Sequence, residues 1–198
     1  MSAADPAEVK GHLRTELRAR RRAIPASARR RAARRLARQY LRQRALQQAR
    51  SVALYLPMAS EIDTAPLRAV LAARGVALYV PKVARGKRLR FLRLGKTRME
   101  WHHHGMPQPR GGDSLPLRRI ALILLPLLGY DAQGRRLGQG GGYYDRALAG
   151  LRGARRPLRI GLAYACQQVE ALPREDHDHP LQGVLSERGL QRFPFHHS

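Results

Sequence analysis

With 198 residues and one cysteine, Cys166, the chain excludes an internal disulfide and needs none, because a domain of this size buries about 70% of the surface its unfolded chain exposes. The longest apolar run, Ile120 to Leu128, is about half a membrane span and no apolar leader opens the sequence, so a soluble, cytoplasmic protein of one domain, residues 1–198, is expected. The formal charge of +24 is almost all arginine scattered along the chain, with lysine only at Lys10, Lys82, Lys87 and Lys96; it predicts weak, salt-sensitive adhesion to polyanions rather than a specific nucleic-acid site.

At the start of the chain Asp5 reads as an N-cap, Pro6 as the first helical residue, and Glu8 stands at the capping-box position. Val9, Leu13 and Leu17 recur every four residues, which predicts an amphipathic helix ending near Ile24-Pro25. Lys10 and Arg14 are also four apart and share one flank; spacing alone favours a solvated basic face over an anion clamp. A second helix is expected over 27–49, with Ala33, Leu36, Ala37, Tyr40 and Leu41 on its apolar stripe.

Ser51 to Leu56 reads as a buried strand stopped by Pro57. Leu67, Val70 and Leu71 mark the inner face of a helix closed by Gly75, and Val76 to Val80 a second strand ended by Pro81-Lys82. Strands and helices alternating at this spacing predict a mainly parallel sheet covered on both faces, with ligands gathered where strands end. That makes Leu56 to Glu61, and Lys82, candidate positions. Leu89 to Leu94 is a further strand, and Trp101, beside a Pro/Gly loop, either covers a planar ligand or fills the core. His102, His103 and His104 are consecutive, so they do not converge on one ion in regular structure.

Ile120 to Leu125 is apolar throughout, as a central strand buried on both faces would be, and it leads into the densest signal in the chain. Gly138 and Gly140 to Gly142 form a backbone nearly bare of Cβ atoms, followed at once by a helix-compatible run from Tyr143 to Leu151. Backbone amides at a helix start, flanked by Arg136 and Arg146, suit phosphate oxygens, and Asp145 is a hard oxygen ligand beside them. The bland alternative is a flexible surface connection with solvated arginines. The run is neither a Walker A loop nor a dinucleotide fingerprint. Leu158 to Ala163 is another strand, Gln167 to Leu172 a short helical piece, and Gly183 to Ser186 a last strand. Between them, Asp178 either contributes to a Mg²⁺ site or belongs to a polar turn with His177 and His179.

Taken in order, these pieces resemble the 5-formyltetrahydrofolate cyclo-ligase family over nearly the whole chain. The most specific part is Arg136-Leu137-Gly138-Gln139-Gly140-Gly141-Gly142-Tyr143-Tyr144-Asp145, preceded by Leu125-Pro126 and Gly129-Tyr130-Asp131. Support comes from Lys10 with Leu13-Arg14, Glu61-Ile62-Asp63-Thr64, Trp101 with Pro107-Gln108-Pro109, and Leu172-Pro173 with His177-Asp178.

The resemblance implies a three-layer α/β/α fold with a mainly parallel sheet, similar to sugar-phosphate isomerases and CoA transferases. It also implies ATP- and Mg²⁺-dependent conversion of 5-formyltetrahydrofolate, with or without a polyglutamate tail, to 5,10-methenyltetrahydrofolate, with ADP and phosphate released. On that reading Lys10, Arg14 and Arg136 hold ATP phosphates together with the loop Leu137, Gly138, Gln139, Gly140, Gly141, Gly142, Tyr143 and Tyr144. Asp145 and Asp178 match the magnesium ligands. Leu56, Glu61, Trp101 and the loop from Gln139 to Tyr143 match positions that contact the folate. A monomer is expected, without a membrane anchor.

The chain departs from the family in having Leu127 after Pro126, where many members have glycine, and Gly141 where some have lysine. The implied chemistry needs no serine, cysteine or histidine nucleophile, because phosphorylating the formyl oxygen makes the carbon electrophilic and the oxygen a leaving group. Two other classes stay open at this stage: a basic nucleic-acid-binding protein, and a nucleotide- or folate-binding module without turnover.

Overall fold

A computed structural model describes residues 5–95, 98–102, 105, 107–151, 157–173 and 179–194. The first helix, α1 (Pro6–Arg22), starts where expected: the Asp5 carboxylate accepts from the Ala7 N–H at 3.0 Å, and Arg20, Arg21 and Arg22 sit in the last turn against the negative end of the helix dipole. The single helix expected over 27–49 is instead two, α2 (Ala26–Leu41) and α3 (Arg44–Gln47). Gln43 leaves helical geometry (φ −100°, ψ 87°), and the buried Tyr40 hydroxyl bridges the break by donating to the Leu46 carbonyl at 2.8 Å.

The first strand, β1 (Ser51–Leu54), stops two residues short of the expected end, because the chain turns there and the Thr64 hydroxyl donates to the Tyr55 carbonyl. After α4 (Ala65–Ala73), strand β2 (Ala77–Ala84) runs straight through Pro81. Proline is tolerated because β1 pairs with β2 only as far as Tyr79, so no β1 ladder bond is lost at position 81. Then follow β3 (Arg88–Arg93), β4 (Met99–Trp101), β5 (Pro107–Pro109), β6 (Ser114–Leu115), β7 (Leu122–Pro126), β8 (Gly129–Tyr130) and β9 (Arg136–Leu137). The chain continues through α5 (Tyr143–Ala149), β10 (Leu158–Leu162), β11 (Gly183–Ser186) and β12 (Gly189–Arg192). Where a helical piece was expected over 167–172, there is one 3-10 turn at Ala165–Gln167. The Gln167 side chain caps its start, accepting from the Tyr164 N–H, and donates to the Leu127 and Leu128 carbonyls.

An eight-stranded sheet runs in the order β12-β11-β10-β7-β1-β2-β3-β6. The central strands β11, β10, β7, β1 and β2 are mutually parallel, and the antiparallel strands lie at the two edges. The period-two alternation is plain in β7. Leu122 and Leu124 pack with residues of α2, α3 and α4 on one face, and Ile123 and Leu125 pack with Leu148 of α5 on the other. Helices therefore cover both faces, as the strand-helix alternation predicted. Among the described residues no helix is long and apolar enough to cross a membrane.

Candidate active site

Because β1, β2 and β7 are parallel, the residues at their carboxyl ends meet at one edge of the sheet: Tyr55 and Leu56 after β1, Pro81 in β2, and Pro126 closing β7. They floor a cleft of about 470 Å³, walled by α1 on one side and by the glycine loop on the other. The β8-β9 hairpin delivers that loop. Asp131, fully buried at its turn, accepts from the Gln133, Arg135 and Leu172 N–H groups and so locks the hairpin to the chain beyond β10.

The loop bends through positive φ at Gly140 (100°) and Gly142 (64°), where a side chain would be strained. Helix α5, which it opens, has seven residues, so the positive character of this corner comes from guanidinium groups more than from a helix dipole. Arg14 Nε donates to the Gly138 carbonyl at 3.2 Å. Arg18 donates to Gln139, and Arg146 donates to the Gly141 carbonyl at 2.6 Å while lying 5.6 Å from the centroid of the Tyr143 ring. Arg136 is almost wholly buried and pairs with the Asp145 carboxylate; among the described residues its Nε has no hydrogen-bond partner.

On the opposite wall, Glu61 Oε2 accepts from the Met58 N–H at 3.0 Å. Burial pushes its carboxyl above the usual carboxylate range, and the Met58 N–H, the Arg21 charge and a hydrogen bond with the Gln139 side chain pull the other way. Tyr55 and Tyr144 are pushed well above the usual phenol value, by burial first and then by the Glu61 charge, so neither serves as a base near neutrality. Burial also raises the Cys166 thiol, against the thiolate a nucleophile needs.

Of the residues singled out from the sequence, Leu56, Glu61, Arg136, Gly138, Gln139, Gly140, Gly141, Gly142, Tyr143, Tyr144 and Asp145 all line this one cleft. Arg14 grips the loop from behind, and Lys10 is buried one turn earlier on α1. Leu137 belongs to a small core cluster with Leu17, Leu128 and Leu172. Trp101 is neither core nor cleft wall: it is 77% exposed, although Pro107, its partner in the β4-β5 ribbon, does line the cleft.

Lys82, at a strand end in the sequence reading, instead binds Glu100 at 2.8 Å and the Arg110 carbonyl at 2.6 Å, tying the ribbon to β2. Asp178, His177, His103 and His104 lie outside the described residues. Ser60, within the stretch Leu56 to Glu61 expected at a strand end, lines the cleft, whereas Arg18 and Arg21 were not foreseen there. The signal was present, since 10, 14, 18 and 21 follow one stripe of α1.

These groups fit a nucleotide and a divalent cation. The buried Arg136 Nε, without a partner among the described residues, and the surrounding guanidinium groups suit phosphate oxygens. Among the described residues no three potential ligands converge on an ion; two carboxylates line the cleft, Glu61 and Asp145, and Asp145 is the one in the first turn of the helix that the glycine loop opens. One or two carboxylates, completed by phosphates and water, is how Mg²⁺ is held beside a nucleotide.

A sequence model described as the 5-formyltetrahydrofolate cyclo-ligase family matches residues 6–187. The chain is 36% identical over 144 residues to the 5-formyltetrahydrofolate cyclo-ligase of Haemophilus influenzae, covering 70% of this chain and 76% of that one. It is 33% identical over 178 residues to that of Escherichia coli, covering 86% and 96%. Among solved structures, the 5,10-methenyltetrahydrofolate synthetase of Aquifex aeolicus superposes with a TM-score of 0.82 at 28% identity, covering 96% of this chain and 95% of that one.

Proposed function

The chain belongs to the 5-formyltetrahydrofolate cyclo-ligase family, and from that premise we propose how its cleft is used. The enzyme catalyses the ATP-dependent cyclisation of 5-formyltetrahydrofolate to 5,10-methenyltetrahydrofolate. The nucleotide lies on the glycine-loop side: Lys10, Arg14 and Arg136 neutralise its phosphates, with the loop from Leu137 to Tyr144 shaped around them. Magnesium, held by Asp145 and Asp178, would offset the charge that grows on the bridging phosphate oxygens. The folate lies toward Leu56 and Glu61, with Trp101 on the outer ribbon and the loop from Gln139 to Tyr143 between the two ligands.

A formamide carbonyl is a weak electrophile because its nitrogen donates into it. In the arrangement proposed, the formyl oxygen attacks the terminal phosphorus, displacing ADP. The folate N10 then closes on the formyl carbon, loses its proton, and the oxygen departs as phosphate, leaving the methenyl cation. This chain's residues bind, orient and neutralise charge, and the ring closure is intramolecular, so holding the formyl group in line is most of what remains. The supporting observation is that Arg136 with Asp145, the glycine loop and Glu61 with Leu56 share one cleft.

The test is the near-ultraviolet absorbance of the methenyl product on mixing protein, 5-formyltetrahydrofolate, ATP and Mg²⁺. Signal is expected only with all four present. Folded protein giving none, while binding either ligand, would leave a binding module without turnover.

A further inference from the structure

Arg21 has no part in the scheme above, yet it lines the cleft beside Glu61. It is 4% exposed, and its Nε donates at 2.9 Å to the hydroxyl of Ser60, the residue preceding Glu61 and itself buried. Among the described residues no other hydrogen bond engages this guanidinium. A buried cation is costly unless acceptors meet it. Burial pulls the group below its ordinary value, and the charge of Glu61 is the largest opposing influence. One wall of the cleft therefore presents a desolvated fork of donors and, next to it, a desolvated carboxylate. Around them Leu56, Pro81, Val83 and Leu89 are apolar, as a flat heterocycle requires and a phosphate does not. The carboxylate also repels a phosphate.

The pterin ring of a folate carries, in order along one edge, a 4-oxo acceptor, an N3–H donor and a 2-amino donor. That pattern is complementary to a guanidinium followed by a carboxylate. We propose that Arg21 is a specificity-determining residue that reads this edge, donating to the 4-oxo oxygen while Glu61 accepts from N3–H and the 2-amino group. The inference rests on the folate reading of the cleft. Ser60 is the positioning residue, holding Nε so that the terminal nitrogens face the ring. An analogue with a 4-amino group would set a donor against the guanidinium, so Arg21 should penalise it.

The experiment compares binding of 5-formyltetrahydrofolate and of a 4-amino-4-deoxy folate analogue, by titration calorimetry without ATP, to wild type, Arg21→Met, Arg21→Lys and Ser60→Ala. Wild type should prefer the 4-oxo ligand. Arg21→Met should lose about 10- to 100-fold in affinity for it and little for the analogue, so that the preference collapses while the KM for ATP is unchanged. Arg21→Lys should retain part of the preference. Ser60→Ala, which keeps the buried charge, should lower the preference in the same direction and covers the case in which Arg21→Met does not fold. An unchanged preference in Arg21→Met and Ser60→Ala, or a loss falling on ATP instead, would overturn the proposal. Wild-type protein that binds no folate would overturn the folate reading as well, a distinguishable result because it appears before any substitution.

Discussion

Arg18 holds both ends of Gln139: its Nε donates to the side-chain oxygen at 3.3 Å and its terminal nitrogen to the backbone carbonyl at 3.2 Å. The same Gln139 side chain is among the influences that hold the Glu61 carboxyl down against its burial. One glutamine thus couples α1, the glycine loop and the wall opposite.

If this coupling positions the loop, Gln139→Ala should hardly change stability, since the bonds to Arg18 are exposed, but should lower kcat/KM about tenfold, for ATP and folate together. Thermal melts and steady-state kinetics measure the two separately. A loss confined to one substrate would assign the glutamine to that ligand alone.

Asp145 pairs with an Arg136 guanidinium that is almost fully buried, so the carboxylate has a structural task as well as the metal-ligand one proposed for it. Asp145→Ala should abolish turnover and also cost about 2 kcal/mol of stability, because it leaves a buried cation without its partner. Asp145→Asn keeps an acceptor for Arg136 and should recover much of the stability without recovering turnover. Denaturant titration beside the absorbance assay separates the two roles.

Glu61 has a definite sign. Its folded-state value is raised, chiefly by burial, so the native chain holds this proton more tightly than the unfolded chain does. As pH rises from the unfolded carboxyl value through the higher folded one, Glu61 therefore makes the fold less stable, and the full cost is carried once the pH is above the folded value. Glu61→Gln should raise the Tm at neutral pH, with the gain vanishing below the unfolded carboxyl value. It should also weaken folate binding about tenfold while leaving ATP affinity in place. Melting curves across pH for both proteins check the first part and calorimetry the second.

Gly142 has φ 64°, and a Cβ there would approach the Arg146 side chain to 2.8 Å, a flexible neighbour able to move aside. The backbone has no such escape. Gly142→Ala should cost about 1 kcal/mol in stability. Its larger effect should be on the KM for ATP, read in the same assay, because the loop proposed to hold the phosphates must re-bend.

The parts of the molecule legible in the sequence are those written by short-range rules. Asp5-Pro6 marked the start of α1, the uniformly apolar Ile120 to Leu125 marked the buried central strand, and the glycine run marked a loop that no sterically ordinary backbone would form. Each depends on residues within a few positions of one another, where capping, side-chain alternation and the missing Cβ act. The paired strands β8 and β9 were missed because each spans two residues, too short for any period to register. Likewise nothing local announced that β2 would pass through Pro81, since what permits it is how far β1 extends alongside.

The sequence by itself determined an α/β chain of alternating strands and helices, and the position of its phosphate-suited loop. Only the tertiary structure decided which of so many arginines face the cleft. Arg18 meets a residue 121 positions away and Arg21 one 39 positions away, whereas the Lys82 charge is spent on Glu100 and the Trp101 ring stands in solvent. The physical reason is that a guanidinium or an indole has much the same local preferences wherever it occurs. Its burial and its partner are set by which strands lie parallel and where their ends meet.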